Sequence, residues 1–395
     1  MTKLKDIICI SYTTWEGEYT KSTVQLLSIL GQKYNVFFIE YPRTIKDIFY
    51  ALLGKINAPI LRMLGIKKRT IKIETKYNSF INHTIMPPMI PINFIKNKRL
   101  YKAFNSINTW IYNKQLKNIC KSYELNSPII ISAYNPVNGL YAINKFKQAL
   151  DVYYCYDGMD NDRNHWMTIE LEKVYCSKVH GIISSSDFLQ KQNLNRNKNS
   201  YLVQNGVDLN MFSESKKAKP YKNRKIKKVG YIGSLDYRFD IELMEYVIGN
   251  LPEIQFEFTG SVLRNEIIEN LIKYKNVCFL PAVKPIEVPQ ILSTYDAGII
   301  PYNYLEINKG IYPLKVNEFL VVGLPVIMTN FAPLKELREV VNVVDNKQDF
   351  LKKIKEEIEN DSTLKINKRF DFAKNNSWEN RAEKFDQILC NLLKK

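Results

Sequence analysis

Apolar residues in this chain gather in short β-prone runs separated by longer stretches with helical spacing, the pattern of an α/β protein with parallel strands. Ile7-Ile8-Cys9-Ile10 is the first run, a helix is predicted over 21–31, and Val36-Phe37-Phe38-Ile39 is the second run, so strand, helix and strand follow one another. Further strands are predicted at 128–132, 152–156, 181–184 and 201–203. The rhythm then starts again. Strands at 229–232, 254–258, 277–281, 296–300, 326–328 and 341–344 alternate with helical stretches at 286–295, 313–322 and 350–361, and Ser377 caps a last helix. The repetition divides the chain into a half over 1–205, a basic linker over 206–228, a second half over 229–375 and a closing helix over 376–395.

Residues 45–104 interrupt the rhythm. Phe49, Leu52, Leu53, Ile56, Leu61 and Leu64 are mixed with Lys46, Lys55 and Arg62, and the basic run Lys67-Lys68-Arg69 follows. Apolar residues flanked by cations suit a segment lying on an anionic membrane, and equally an α-helical insertion packed on the first half.

Composition narrows the classes of function. With 45% hydrophobic and 12% aromatic residues in a chain of 395, this is a folded protein with more than one core. A net charge of +17 calls for an anionic partner, for which nucleic acid, membrane and phosphorylated sugars all qualify. No nucleic-acid motif accompanies the charge, so no nucleic-acid partner is expected. Six scattered cysteines without a Cys-x-x-Cys pair, and only three histidines, give no sign of a disulfide framework or a metal site. The first apolar run is too short for a secretory signal and no run has membrane-spanning length, so a cytoplasmic placement is expected.

Candidate chemistry centres on 312–327, Tyr-Pro-Leu-Lys-Val-Asn-Glu-Phe-Leu-Val-Val-Gly-Leu-Pro-Val-Ile. Pro313 suits a first helical turn, Gly323 a C′ position, and Pro325 stops the helix before the next strand. Lys315 and Glu318 share one face of the opening turn, where a cation opposes the helix dipole unless an anion lies beyond it. A phosphate-bearing ligand fits there, with Glu318 accepting from two sugar hydroxyls; the alternative is a buried crossover helix in which the two side chains merely pair. Three carboxylates, Asp157, Asp160 and Asp162, directly follow another strand, where a general base or a capped turn would stand. Trp15, Glu16 and Glu18 follow the first strand and are acceptor-side candidates, against a surface turn with a half-buried Trp.

The segment resembles the donor-binding stretch of GT-B glycosyltransferases, where a glutamate opens a Glu-x-x-x-x-Gly-x-Pro-Val pattern: here Glu318, Gly323, Pro325 and Val326. Its longer form, with Pro313, Leu314, Lys315 and Phe319, is similar to the family 4-like bacterial group that includes teichuronic-acid and xanthan-type sugar transferases. Tyr156-Asp157 with Asp160, and Asn205-Gly206-Val207-Asp208 with Phe212, resemble segments of the same group. The likeness is dense over about 150–390 and thin before it. It implies the GT-B fold, two Rossmann-like parallel-sheet domains facing across a cleft, with a last helix returning to the first domain. It also implies transfer of a sugar from a nucleoside-diphosphate donor, a UDP-sugar foremost, to a glycan or lipid-linked glycan at the inner membrane face, with no cofactor and no metal. By it, Lys315 contacts the diphosphate and Glu318 the ribose. Gly233, Ser234, Gly260, Tyr302 and Leu314 complete the donor side, and Asp157 or Asp160 serves the acceptor. One position departs: many family 4 transferases carry a glutamate eight residues before Glu318, where this chain has Gly310. A nucleotide-sugar epimerase and a catalytically silent nucleotide-sugar-binding scaffold are the alternatives.

Overall fold

The computed structural model describes residues 5–17, 21–159, 166–215 and 225–394. The first sheet has eight strands: β1 (Asp6–Ser11), β2 (Asn35–Ile39), β3 (Thr70–Glu74), β4 (Phe80–Thr84), β5 (Ile129–Ala133), β6 (Leu150–Cys155), β7 (Gly181–Ser184) and β8 (Ser200–Leu202). Their order is β3-β4-β2-β1-β5-β6-β7-β8, parallel throughout except for β3. Helices cover both faces, which is why the strands read as continuous apolar runs. In β1, Ile7 and Cys9 enter one core cluster while Ile8 and Ile10 enter another on the opposite face.

The second sheet has six parallel strands: β9 (Lys227–Ile232), β10 (Ile254–Thr259), β11 (Val277–Leu280), β12 (Ala297–Ile300), β13 (Val326–Thr329) and β14 (Asn342–Val344), ordered β11-β10-β9-β12-β13-β14. Counted within the domain this is the 3-2-1-4-5-6 Rossmann order, and the strand direction of travel reverses at β9 and β12. Loops leaving those two strands must diverge, so a crevice opens between them. The same reversal occurs in the first sheet between β1 and β5.

Residues 45–104 are not an all-helical insertion. They supply β4, which pairs in parallel with β2 from Val36↔Ile81 to Ile39↔Thr84, and the antiparallel edge strand β3. Thr-Ile-Lys-Ile-Glu in β3 alternates polar and apolar because the strand lies at a wet sheet edge. Its lack of a continuous apolar run hid it among the surrounding helices.

The helix Trp378–Leu393 returns to the first domain, where Trp378, Phe385, Leu389 and Leu392 enter the core cluster that holds Leu26 and Val36. The chain therefore passes between the domains twice, and the two passages touch: Val207 N–H donates to the Asn376 carbonyl (3.1 Å) and Trp378 N–H to the Val207 carbonyl (3.0 Å).

Candidate functional site

The helix Leu314–Val321 begins after Pro313 and ends at Val322, with Gly323 at φ +82° as the left-handed residue beyond it. Val316, Asn317, Phe319, Leu320 and Val321 are buried, which turns Leu314, Lys315 and Glu318 toward a pocket at the crevice between β9 and β12. Gly233 and Gly260, from the loops after β9 and β10, form the facing wall. Both glycines are required by their left-handed backbone, and Gly260 by contact as well. A Cβ on Gly233, at φ +134°, would stand 2.6 Å from the Lys315 ammonium, and one on Gly260, at φ +152°, would stand 2.0 Å from the Gly233 carbonyl oxygen. The two loops thus nest, and the lysine lies directly under them. Ala282, Val283, Pro285 and Val288 make the other end of the pocket apolar, a slot suited to the flat face of a base.

Lys315 does not pair with Glu318. Its Nζ donates to the Tyr302 hydroxyl (3.0 Å) and sits 4.0 Å from the centroid of the Tyr231 ring. Tyr302 is buried behind the lysine, and the Arg238 guanidinium lies over its ring at 5.2 Å while pairing with Asp236 at 2.5 Å. Burial lowers the Lys315 pKa, and the Tyr302 oxygen opposes that shift. Burial would also raise the Tyr302 phenol, but Lys315 and Arg238 outweigh it and hold the group below an ordinary tyrosine. Lys315 and Arg238 thus converge on the Tyr302 ring, with Asp236 paired to Arg238 and Glu318 beside Lys315 in the pocket. Burial pushes the Glu318 carboxyl up to about 7, with Lys315 pulling the other way.

Sequence reasoning placed Gly233, Gly260, Leu314, Lys315 and Glu318 here, and all five line the pocket. Tyr302 reaches the pocket only through Lys315. Ser234 is half-buried and off the pocket wall; its carbonyl oxygen accepts from the Tyr231 hydroxyl (2.7 Å) and so anchors the glycine loop. Arg238 and Tyr231 were missed. Neither has a spacing that announces it, although an arginine five residues beyond a glycine loop was a signal to weigh.

On the other side of the cleft, Asp157 follows β6, and its carboxylate accepts from the Gly158 N–H (2.8 Å). The Tyr134 hydroxyl donates to the Gly158 carbonyl (2.7 Å). Gly310, from the second domain, packs here: a Cβ on it would lie 3.7 Å from Gly158 N and 3.2 Å from the Leu189 side chain, and its carbonyl accepts from Ser186 (2.8 Å). A side chain at 310 would therefore start in tight contact with Leu189 at the junction of the two domains. Asp160 and Glu18 lie outside the described residues, as does part of the basic linker, 216–224. Trp15 packs edge-on against Phe38 at 5.1 Å and its N–H donates to Glu40 (3.2 Å), so it braces the loop after β1. Glu16 is exposed, and its carbonyl accepts from Lys21 (2.5 Å). A buried pair, Glu40 with His83 at 2.8 Å, stands behind that loop and was not anticipated. Among the described residues no group of three or more His, Cys, Asp or Glu is placed to hold a metal ion.

No protein-family model matches the chain. Solved structures do. A sucrose-phosphate synthase from Thermosynechococcus elongatus superposes with a TM-score of 0.68 at 16% identity, over 98% of this chain and 99% of that one. The UDP-forming α,α-trehalose-phosphate synthase of Burkholderia vietnamiensis gives 0.69 at 10% identity, over 99% and 98%. The fold is GT-B. Anabaena HepE, solved in complex with UDP and glucose, is a further GT-B structure of this shape, with a TM-score of 0.64 at 12% identity over 98% of this chain and 99% of that one. Among curated proteins, the putative teichuronic acid biosynthesis glycosyltransferase TuaH of Bacillus subtilis (strain 168) is 28% identical over 172 residues, 41% of this chain and 43% of TuaH. The matched part is thus under half the length of that relative. In this GT-B chain the Asp157–Gly158 turn of the first domain lines a cavity with Leu305, Glu306, Ile307 and Gly310 of the second, the loop that leads into the helix carrying Lys315.

Proposed function

We propose that the protein is a glycosyltransferase that moves a sugar from a nucleoside diphosphate, UDP above all, to a hydroxyl of a glycan or lipid-linked glycan in cell-surface polysaccharide synthesis. One observation carries the reading: Lys315 is held by Tyr302 and Tyr231 beneath two nested glycine loops, one turn from Glu318. The departing diphosphate gains negative charge in the transition state, and Lys315 with Arg238 stabilises it there without reorganising. Glu318, as carboxylate, accepts from the ribose hydroxyls. Asp157 is the candidate general base or acceptor contact at the cleft. The UDP-bound and UDP-forming structural relatives support UDP, and TuaH supports an envelope polysaccharide. The reaction as read uses no metal and no cofactor.

Calorimetry of UDP, GDP and TDP with the purified chain tests this. We expect one diphosphate to bind, and Lys315→Ala to cost about 1.5–3 kcal/mol of that affinity while the melting temperature is kept. Unchanged UDP affinity in the variant would remove the assigned pocket.

A further inference from the structure

Four adjacent strands of the first sheet, β2, β1, β5 and β6, each deliver a tyrosine just past their C-terminal end: Tyr41, Tyr12, Tyr134 and Tyr156. The rings touch in that same order. Centroids stand 4.8 Å apart for Tyr41 and Tyr12, 5.4 Å for Tyr12 and Tyr134, and 5.0 Å for Tyr134 and Tyr156. Each step is comparable with the span of one pyranose ring. Tyr134 holds its place at φ +52°, a left-handed conformation that a bulky residue adopts only when its surroundings impose it.

Packing of strand ends accounts for the inner two rings. It does not account for Tyr12 and Tyr41, which leave 41% and 38% of their surface in water on the floor of a groove of about 790 Å³. Asn93, Asn105, Asn138 and Arg43 line the same groove, together with Met89, Ile90, Ile92 and Phe94. At its inner end the Tyr134 hydroxyl holds Gly158, beside Asp157 and against Gly310 of the second domain. The groove therefore leads to the junction where the two domains meet.

We propose that this tyrosine row is the track for the acceptor glycan: at least two of its pyranose rings lie on Tyr12 and Tyr41 while the reacting hydroxyl reaches Asp157. A pyranose has apolar C–H faces and a polar rim, which matches aromatic rings bordered by amides. The inference rests on the glycosyltransferase reading and adds to it the size and chemistry of the acceptor.

The test uses the full chain with UDP present and measures binding of chitotetraose, cellotetraose and maltotetraose, each beside its monosaccharide, by saturation-transfer NMR and calorimetry. At least one tetramer is expected to bind more tightly than its monosaccharide. Tyr12→Ala and Tyr41→Ala should each weaken it by about two- to tenfold, and Tyr12→Phe should retain it, because the ring face and not the hydroxyl makes the contact. UDP affinity should stay constant across the series. Absence of tetramer binding, or wild-type tetramer affinity in both alanine variants with UDP binding intact, overturns the track. So does a polyprenyl phosphate in detergent micelles that binds in place of the tetramers and is lost in the same variants. Failure of the wild-type chain to bind UDP would instead sink the glycosyltransferase reading.

Discussion

Glu318 is where the demands of folding and binding conflict most openly. Its carboxyl is raised from 4.5 to about 7 by burial, so near neutral pH the free protein holds both the protonated and the ionised form. A group whose folded pKa is raised contributes stability that is present below its unfolded pKa and is lost as pH rises from about 4.5 through about 7. Ribose hydroxyls need the carboxylate as acceptor, so donor binding should run the opposite way and strengthen as pH rises through about 7. Calorimetric titration of UDP across that range checks the slope. In Glu318→Gln the Glu318-dependent part of it should vanish, with UDP affinity at pH 8 falling by about 1–3 kcal/mol while the empty variant melts higher than wild type. An unaltered slope would show that Glu318 is not the group that titrates. Lys315 and Glu318 were legible beforehand because three-residue spacing on a helix fixes a shared face. Arg238 was not, since a loop residue has no period and only the folded β9 turn brings it over the Tyr302 ring.

At the scale of elements, the donor helix Leu314–Val321 is tied to the first domain through one buried side chain. The Asn205 amide donates to the Tyr312 carbonyl (2.8 Å) just ahead of that helix and accepts from the Ser22 hydroxyl (2.8 Å) in the first domain. Its own carbonyl accepts from Asn317 (3.0 Å) within the helix. Asn205 therefore couples the position of the helix to that of Ser22. Asn205→Asp removes the donor to Tyr312 and sets a carboxylate against a carbonyl, which should cost about 1–3 kcal/mol of stability and weaken UDP binding. Thermal melts and UDP titration of the variant check both, and wild-type values in the two would remove Asn205 from this role. The sequence marked Asn205-Gly206 as a turn and a family-like segment, yet its partners lie 107 and 183 residues away in the chain, beyond any local pattern. The parallel strands other than β4 were legible as apolar runs because both their faces are covered. Parallel β4, Phe-Ile-Asn-His-Thr, and its edge neighbour β3 lacked that signature and were taken for part of an interrupting segment.

Across the whole molecule, the two α/β halves and the returning helix were readable from rhythm and resemblance, whereas the surface they present was not. The helix Ile45–Leu52 buries none of its residues, and Phe49, Leu52 and Ile66 expose 58%, 72% and 70% of their surface. We propose an anionic membrane surface as the destination of this segment, since its exposed apolar side chains stand beside Lys55, Lys67 and Lys68. No described helix is long and apolar enough to cross a bilayer. Replacing Lys55, Lys67 and Lys68 with Gln should lower sedimentation with anionic vesicles, by about 1 kcal/mol per charge. Arg69 is left alone because its guanidinium donates to the Met63 carbonyl (3.0 Å). Equal sedimentation of variant and wild type would remove the membrane from the proposal.

The twin passages at Val207 and Trp378 make the second α/β half a cassette spliced into the first, its entry and exit stapled by two backbone hydrogen bonds. A chimera that takes residues 208–376 from another GT-B chain has to reproduce that seam, the Asn205 contacts and the seat of Gly310 against Leu189 and Ser186; where it does, the proposed tyrosine track is paired with a different donor domain by exchange of one continuous piece.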